Sequence, residues 1–191
     1  MLLAGKTAIV YGASGSVGSA IAKAFAREGA FVMPFETFIR PVKDALTTWF
    51  YTGSILAKHM ASNGGGTILG ITANAGRQPF SGVGGFGVAC AAVEHYLRQL
   101  AVENGPHRVR VCWVRSPGSP DSPGVREAWE IYGKQKGMTF EEVHREFFKD
   151  TPLRHITGLA EVANAAVLLA SDLASGMTAT MANATGGAQV D

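Results

Sequence analysis

Charge is scarce in this sequence. Only 17% of its 191 residues are charged, and they balance to a formal +2 at neutral pH. A surplus so small and so scattered excludes the electrostatic footprint of a nucleic-acid binder. Cysteine is scarcer still: Cys90 and Cys112, each inside an apolar segment. That excludes a disulfide framework and leads us to expect a reducing, cytoplasmic compartment. No apolar run reaches the roughly 20 residues that span a bilayer, so no membrane partner is expected. Residues 1–6 lack the charged stretch and long apolar run of a signal peptide.

Clusters of metal ligands are missing as well. His59, His95, His107 and His155 are spread over separate segments. Glu141 and His144 have ligand spacing on one helix, but a di-metal bundle needs two such pairs and further glutamates. A solvated helix face is expected there, and no metal. No serine, histidine and acid stand where a nucleophilic triad could be argued.

Apolar residues and glycine are what the chain has in plenty. Hydrophobic residues make up 47%, too much for a disordered protein. Glycine contributes 24 residues, against a usual share of roughly 7%. The length suits a single domain, residues 1–191, with a core of its own.

Strand and helix patterns alternate, as in a parallel sheet covered by helices. Residues 7–11 form a short apolar run opening onto glycines. From Ser16 the apolar residues Val17, Ala20, Ile21, Ala24 and Phe25 recur at helical spacing, and Gly29 stands where that helix should stop. Residues 30–33 read as a second strand, ended by Pro34. A long helix follows, with Val42, Ala45, Leu46, Trp49, Phe50, Leu56 and Met60 on one face. A third strand is expected over 67–72, a helix over 88–103 broken at Asn104-Gly105-Pro106, and a fourth strand over 109–114. Beyond lie a loop over 116–124, one or two charged helices to about Phe148, a helix over 159–171 and a weak strand near 178–184. Between Gly64 and Val93 the only charged residue is Arg77. Such a stretch is either plain core or wrapped around something bound.

The segment Val10-Tyr11-Gly12-Ala13-Ser14-Gly15-Ser16-Val17-Gly18 follows a strand and opens a helix, the setting that gives a glycine motif its meaning. One glycine allows the tight turn, another lets backbone approach a pyrophosphate, and the last lets helix pack on strand. The helix N-terminus adds free N–H groups and the positive end of its dipole. A tight strand-to-helix turn with no ligand would use the same residues.

From this loop onward the chain resembles the short-chain dehydrogenase/reductase family, segment after segment. Residues 3–10 look like its first strand, and Gly64-Gly65-Gly66-Thr67-Ile68-Leu69 like its fifth. Residues 85–93 look like the helix that usually carries Tyr-x-x-x-Lys, and Arg110-Val111-Cys112 through Pro117-Gly118 like the sixth strand and its turn. Thr151-Pro152-Leu153-Arg154, Glu161-Val162-Ala163-Asn164, Leu168-Leu169-Ala170-Ser171-Asp172 and Gly186-Gly187 continue the likeness. The resemblance implies an α/β fold: a Rossmann-type doubly wound parallel sheet with helices on both faces, lacking some strands of the full family fold. It implies NAD or NADP as a dinucleotide partner, with Gly12, Ser14, Gly15, Ser16, Val17, Gly18, Pro117 and Gly118 binding it.

Three departures qualify that expectation. Ser16 replaces the usual middle glycine, giving a Gly-x-x-Gly-x-x-Gly spacing similar to the family's extended branch. After Met33 the chain passes through Pro34–Arg40 straight into the helix that should follow strand four, so several dozen family residues are missing. Glu36 stands near the place of a ribose-binding acid, but its position at the junction makes it the start of the next helix. Ala73-Asn74-Ala75-Gly76 mimics the lost strand-four turn, yet its distance from Phe86 marks it as the end of the strand at 67–72. To avoid unpaired inner edges, residues 30–33 are expected in the strand-four place, or the first strand beside the strand at 67–72.

The third departure is chemical. The family's tyrosine, lysine, serine and asparagine map onto Phe86, Cys90, Ala73 and Ala45, none of which can take the role. Tyr96 lies too far along the helix to substitute. Cys90 reads as a small core residue rather than a nucleophile. Thr72, Asn74 and Arg77 edge the expected cleft. No catalytic residue is therefore assigned. The expected function is an oxidoreductase-family protein with impaired or absent hydride transfer, the alternative a non-enzymatic binding or assembly module. Family members pack the helices matching 42–60 and 88–103 against those of another subunit. Trp49, Phe50, Tyr51, Tyr96 and Leu97 accordingly imply a homo-oligomer.

Overall fold

The computed structural model describes residues 1–8, 10, 15–32, 34–79 and 83–190. Its strands are β1 (Thr7–Ala8), β2 (Phe31–Val32), β3 (Gly66–Ala73), β4 (Val109–Ser116) and β5 (Thr180–Asn183). Its helices are α1 (Ser16–Arg27), α2 (Phe35–Ser62), α3 (Phe86–Asn104), α4 (Pro123–Lys136), α5 (Phe140–Phe148) and α6 (Leu159–Ala170). Two compact units divide the chain at Pro41, inside α2. There the ring removes one helical hydrogen bond.

In the first unit β1 and β2 pair in parallel through α1, the crossover that parallel strands require. Gly29 ends the turn after α1 at φ +85°, a conformation that glycine adopts without strain. Helix α1 forms where the spacing expects it, but none of its residues is buried, and Val17 is 74% exposed.

In the second unit β3, β4 and β5 form a parallel sheet in that order. Side chains alternate across it with period two. Ile68, Val109, Val111 and Trp113 face a core completed by Ala57 of α2 and by Val93, Leu97, Leu100 and Ala101 of α3. Cys112 and Val114 face the other way, onto Val162 and Leu169 of α6. Helices thus cover both faces, as a Rossmann-type sheet requires. Gly70 lies under the first core, where an added Cβ would come within 2.7 Å of Leu97. On the opposite face the Arg110 guanidinium donates to the carbonyls of Leu169, Ala170 and Ser171, satisfying the C-terminal end of α6.

The apolar face of α2 is not buried evenly: Phe50 and Leu56 are exposed, while Gly53 and Ala57 are the residues that sink in. Tyr96 of α3 explains it: a Cβ on Gly53 would lie 2.8 Å from the Tyr96 hydroxyl, so small residues make the contact. The expected closure of the sheet involves residues 7–11 and 30–33, of which 9, 11 and 33 lie outside the described residues; within the units β1 pairs with β2, and β3 with β4.

The loop after β4 leads into α4 and α5, packed through Trp129 stacked on Phe147 at 5.0 Å. Among the described residues no helix is long and apolar enough to cross a membrane.

Candidate functional site

The first turn of α3 is clamped against the end of β3. After Ala73 the chain makes a short 3-10 turn, Asn74–Gly76. Added Cβ atoms at Gly76 and Gly87 would approach Cys90 Cβ to 3.0 Å and Ala75 O to 2.7 Å. Glycine is needed at both for helix and strand end to meet. This is the site that the family resemblance selects, and the four mapped positions can be followed onto it. Phe86 opens α3 and is half exposed. Cys90, one turn on, is buried against the Ala73 backbone. Burial pushes its thiol above the ordinary range, and the nearby Glu94 charge adds to the rise. Ala73 is half-buried at the end of β3, and Ala45 packs on the core from α2.

No proton donor or cation suited to hydride transfer stands in that turn. Phe86 has no acidic proton, and a neutral buried thiol supplies neither positive charge nor an activated nucleophile. Cys112 is also free and buried, its Sγ 3.4 Å from the Met177 carbonyl, and its thiol is likewise raised by burial.

One turn further along α3 lies a cluster that sequence reasoning missed. Glu94 is 3% exposed, yet it carries a carboxylate. Arg115 of β4 donates to it through Nε at 3.0 Å and Nη2 at 2.7 Å, and the Thr72 hydroxyl donates at 2.9 Å. Arg98 adds an ion pair at 3.7 Å, with its guanidinium 4.9 Å from the centre of the Trp113 ring. A buried carboxylate survives only when paired and hydrogen-bonded in this way. A signal was available. Residue 115 continues the inward-facing series 109, 111 and 113, so an arginine there requires a buried acid opposite. Thr72, expected at a cleft edge, is committed to this network, whereas Arg77 is exposed.

The remaining assigned residues divide between the two units. Gly12 and Ser14 lie outside the described residues. Gly15 is the N-cap of α1 without a side-chain bond; Ser16 and Val17 are exposed, and the first turn carries no acid. A helix start that is exposed and, among the described residues, uncapped and without an acid in its first turn fits a phosphate group. Pro117 and Gly118 are half-buried after β4, Gly118 at φ +86° with its N–H on Ser116 Oγ at 3.3 Å. Glu36 lies in the first turn of α2, as expected. His144 corrects the solvated reading of the Glu141–His144 pair: its ring packs against Trp129, Phe140 and Phe148. The charge-poor segment 64–93 supplies buried residues of β3, of the 3-10 turn and of α3, which favours plain core over a bound wrapper.

Comparison with known proteins agrees with this geometry. Residues 36–189 match the family described as enoyl-(acyl carrier protein) reductase. The 7alpha-hydroxysteroid dehydrogenase of Escherichia coli strain K12 is 27% identical over 157 residues, 82% of this chain and 57% of the relative. The 2,3-dihydro-2,3-dihydroxybenzoate dehydrogenase of the same strain is 32% identical over 114 residues, 60% of this chain and 45% of the relative. Among solved structures, sorbitol-6-phosphate 2-dehydrogenase from Erwinia amylovora superposes with a TM-score of 0.77 at 21% identity, covering 94% of this chain and 77% of that one. NAD+-bound xylitol dehydrogenase gives 0.74 at 16% identity, covering 98% and 100%. The chain belongs to the short-chain dehydrogenase/reductase family. It spans about half the length of the curated relatives it matches. Its glycine loop precedes the matched region.

Proposed function

We propose that this chain is a dinucleotide-binding member of its family in which ordinary hydride transfer is impaired or absent. Residues 1–191 act as one Rossmann-type domain, cytoplasmic and homo-oligomeric. The backbone N–H groups of Gly15, Ser16, Val17 and Gly18 hold the pyrophosphate of NAD or NADP. Gly12, Ser14, Pro117 and Gly118 are assigned to the cofactor by the family resemblance alone. When bound, nicotinamide supplies or accepts the hydride. The observation that carries the reading is the first turn of α3, which presents Phe86 and a neutral, buried Cys90 at the positions of the acid and its activating cation. Negative charge developing on a carbonyl oxygen finds no donor among positions 45, 73, 86 and 90.

The test combines two measurements. Thermal shift with NAD(H) and NADP(H) reads binding, because a ligand of the folded state raises apparent stability. Absorbance assays on ketone and alcohol substrates read turnover. The expected result is binding without appreciable turnover, since general acid–base catalysis alone contributes roughly 10²–10⁴-fold. Turnover at ordinary enzyme rates by the parent overturns the proposal. Restoring Phe86→Tyr, Cys90→Lys and Ala73→Ser together should raise any trace rate, although the buried site disfavours the charged lysine.

A second reading, a non-enzymatic assembly module, is favoured by the exposed Phe50, Tyr51 and Ile55 on α2 and Val102 on α3. It gains if neither nucleotide shifts the melting temperature while light scattering finds a dimer. A monomer at micromolar concentration counts against assembly in either reading.

A further inference from the structure

Beside the buried Glu94 cluster runs an open groove of about 450 Å³, bounded by α3, the end of the turn after β3, and β5. Its size is that of a small-metabolite site. Arg77, Arg98, Arg115 and Trp113 contribute to its walls, and Glu94 is the only carboxylate there among the described residues. All of these residues lie in the second unit.

The hydrogen-bonding groups of this groove do not balance. Glu94 already receives two donors from Arg115, one from Thr72 and the ion pair of Arg98, so its acceptor capacity is committed. The donors exceed it. Arg77 has no side-chain hydrogen bond or ion pair among the described residues, and Arg98 is half exposed with most of its fork unused. Trp113 is 1% exposed, and its Nε1–H has no partner among the described residues. An indole nitrogen can only donate, and a guanidinium offers five donors and no acceptor. A buried donor without a partner costs free energy unless something supplies an acceptor. Three arginines against one carboxylate leave the groove positive, so a partner rich in acceptors and negatively charged suits it.

We propose that this groove binds the oxyanion head group, phosphate or carboxylate, of a small metabolite. Arg77 and Arg98 hold its oxygens, and the Trp113 Nε1–H is the buried donor satisfied on binding. Arginine forks match both head groups bidentately. Arg115 stays with Glu94 and keeps the wall in place. The site does not depend on the dinucleotide reading, because none of its residues belongs to the glycine loop.

The experiment titrates the protein with inorganic phosphate and, separately, with succinate, at an ionic strength held constant by sodium chloride. The readout is the indole N–H resonance of Trp113, assigned by its loss in Trp113→Phe. We expect a saturable shift with at least one probe, phosphate or succinate indicating which head group is preferred. Arg77→Gln and Arg98→Gln should each weaken it about tenfold, the worth of one charge-assisted contact. Phosphate taken up only at the N-terminus of α1 would move backbone amides there and leave this indole unchanged, which overturns the proposal without touching the dinucleotide reading. No indole shift with either probe, or the same shift with sodium chloride alone, also overturns it. Because Arg98 packs on Trp113, exposed Arg77→Gln is the deciding variant: unchanged affinity there sinks the site.

Discussion

Two consecutive stretches of α3 follow opposite rules. From Phe86 to Cys90 the helix carries no charge, and its buried group is a thiol held neutral by desolvation. From Glu94 to Arg98 it carries a buried carboxylate with its partners around it. The family resemblance places its proton chemistry in the first stretch, whereas this chain keeps its ionised groups in the second. Position in a family fold therefore locates a place but not the groups that fill it. What stands there is decided by whether a charge can be paired.

The sharpest way to break this comparison is to unpair the second stretch. Glu94→Ala leaves Arg115 buried without its carboxylate and the Thr72 hydroxyl without its acceptor. The expected loss is about 3–5 kcal/mol, read from urea unfolding curves. Replacing Glu94 and Arg115 together by Leu and Met should cost much less, because no lone charge remains. A loss below about 1 kcal/mol for Glu94→Ala would mean that the pair is solvated like a surface salt bridge.

A smaller effect sharpens the picture of the first stretch. Gly87→Ala drives a methyl to within 2.7 Å of the Ala75 carbonyl oxygen, a backbone atom with little freedom to move away. Overpacking of this kind costs about 1–3 kcal/mol, offset in part by up to about 1 kcal/mol of better helix propensity. Chemical denaturation should therefore show a net loss. A net gain would mean that the helix start can slide off the turn.

Much of this molecule was legible before any coordinates. The strands at 67–72 and 109–114, the breaker at Asn104-Gly105-Pro106 and the stop at Gly29 all have local causes, and they lie where expected. The burial of Cys90 was legible too. What escaped depended on long-range pairing. Strand four was ended at Val114, so Arg115 was not counted as an inward-facing residue, and Glu94 passed as one more polar position on a helix. The sheet closure was argued from the cost of open edges alone, and part of the strands that it concerns falls outside the described residues. The depth at which α2 packs was set by Tyr96 against Gly53, a contact between elements far apart in sequence. The glycine loop is the other limit, since Gly12 and Ser14 fall outside the described residues.

Thiol chemistry tests the first stretch more gently. Burial holds both thiols above their ordinary range, so they stay protonated at neutral pH. Alkylation followed by mass spectrometry should leave Cys90 and Cys112 unmodified in the native protein and label them rapidly in urea. The sign of the linkage follows. The unfolded chain loses these protons first as pH rises through the usual thiol range, so stability declines there. Rapid native labelling of Cys90 near neutrality would reveal an activated thiolate, and with it a nucleophile in a turn read as inert.

The smallest effect expected lies outside both stretches, at two exposed helix starts. Glu142 accepts the N–H and the hydroxyl of Thr139 in a reciprocal cap of α5, and these bonds hold its carboxyl below the usual range. Glu161 is lowered first by the Gly158 N–H at the start of α6 and then by His155, whose Nε2 lies 2.6 Å away. Both folded pKa values are depressed. Their stabilisation is therefore present above the unfolded carboxylate pKa and is lost as pH falls through the lower, folded one. Melting temperatures of the parent, Glu142→Gln and Glu161→Gln should differ near neutrality and converge in acid. Solvent screening keeps the difference small, well below that of Glu94→Ala. Thr139→Ala should cost about 1 kcal/mol through the lost N-cap, and much of that should persist in acid, because the hydroxyl still accepts the Glu142 N–H when the carboxyl is protonated. A Glu142→Gln difference that survived acid unchanged would assign the cap to shape rather than charge. The ionised groups that matter to this fold would then be confined to the buried Glu94–Arg115 pair between α3 and β4.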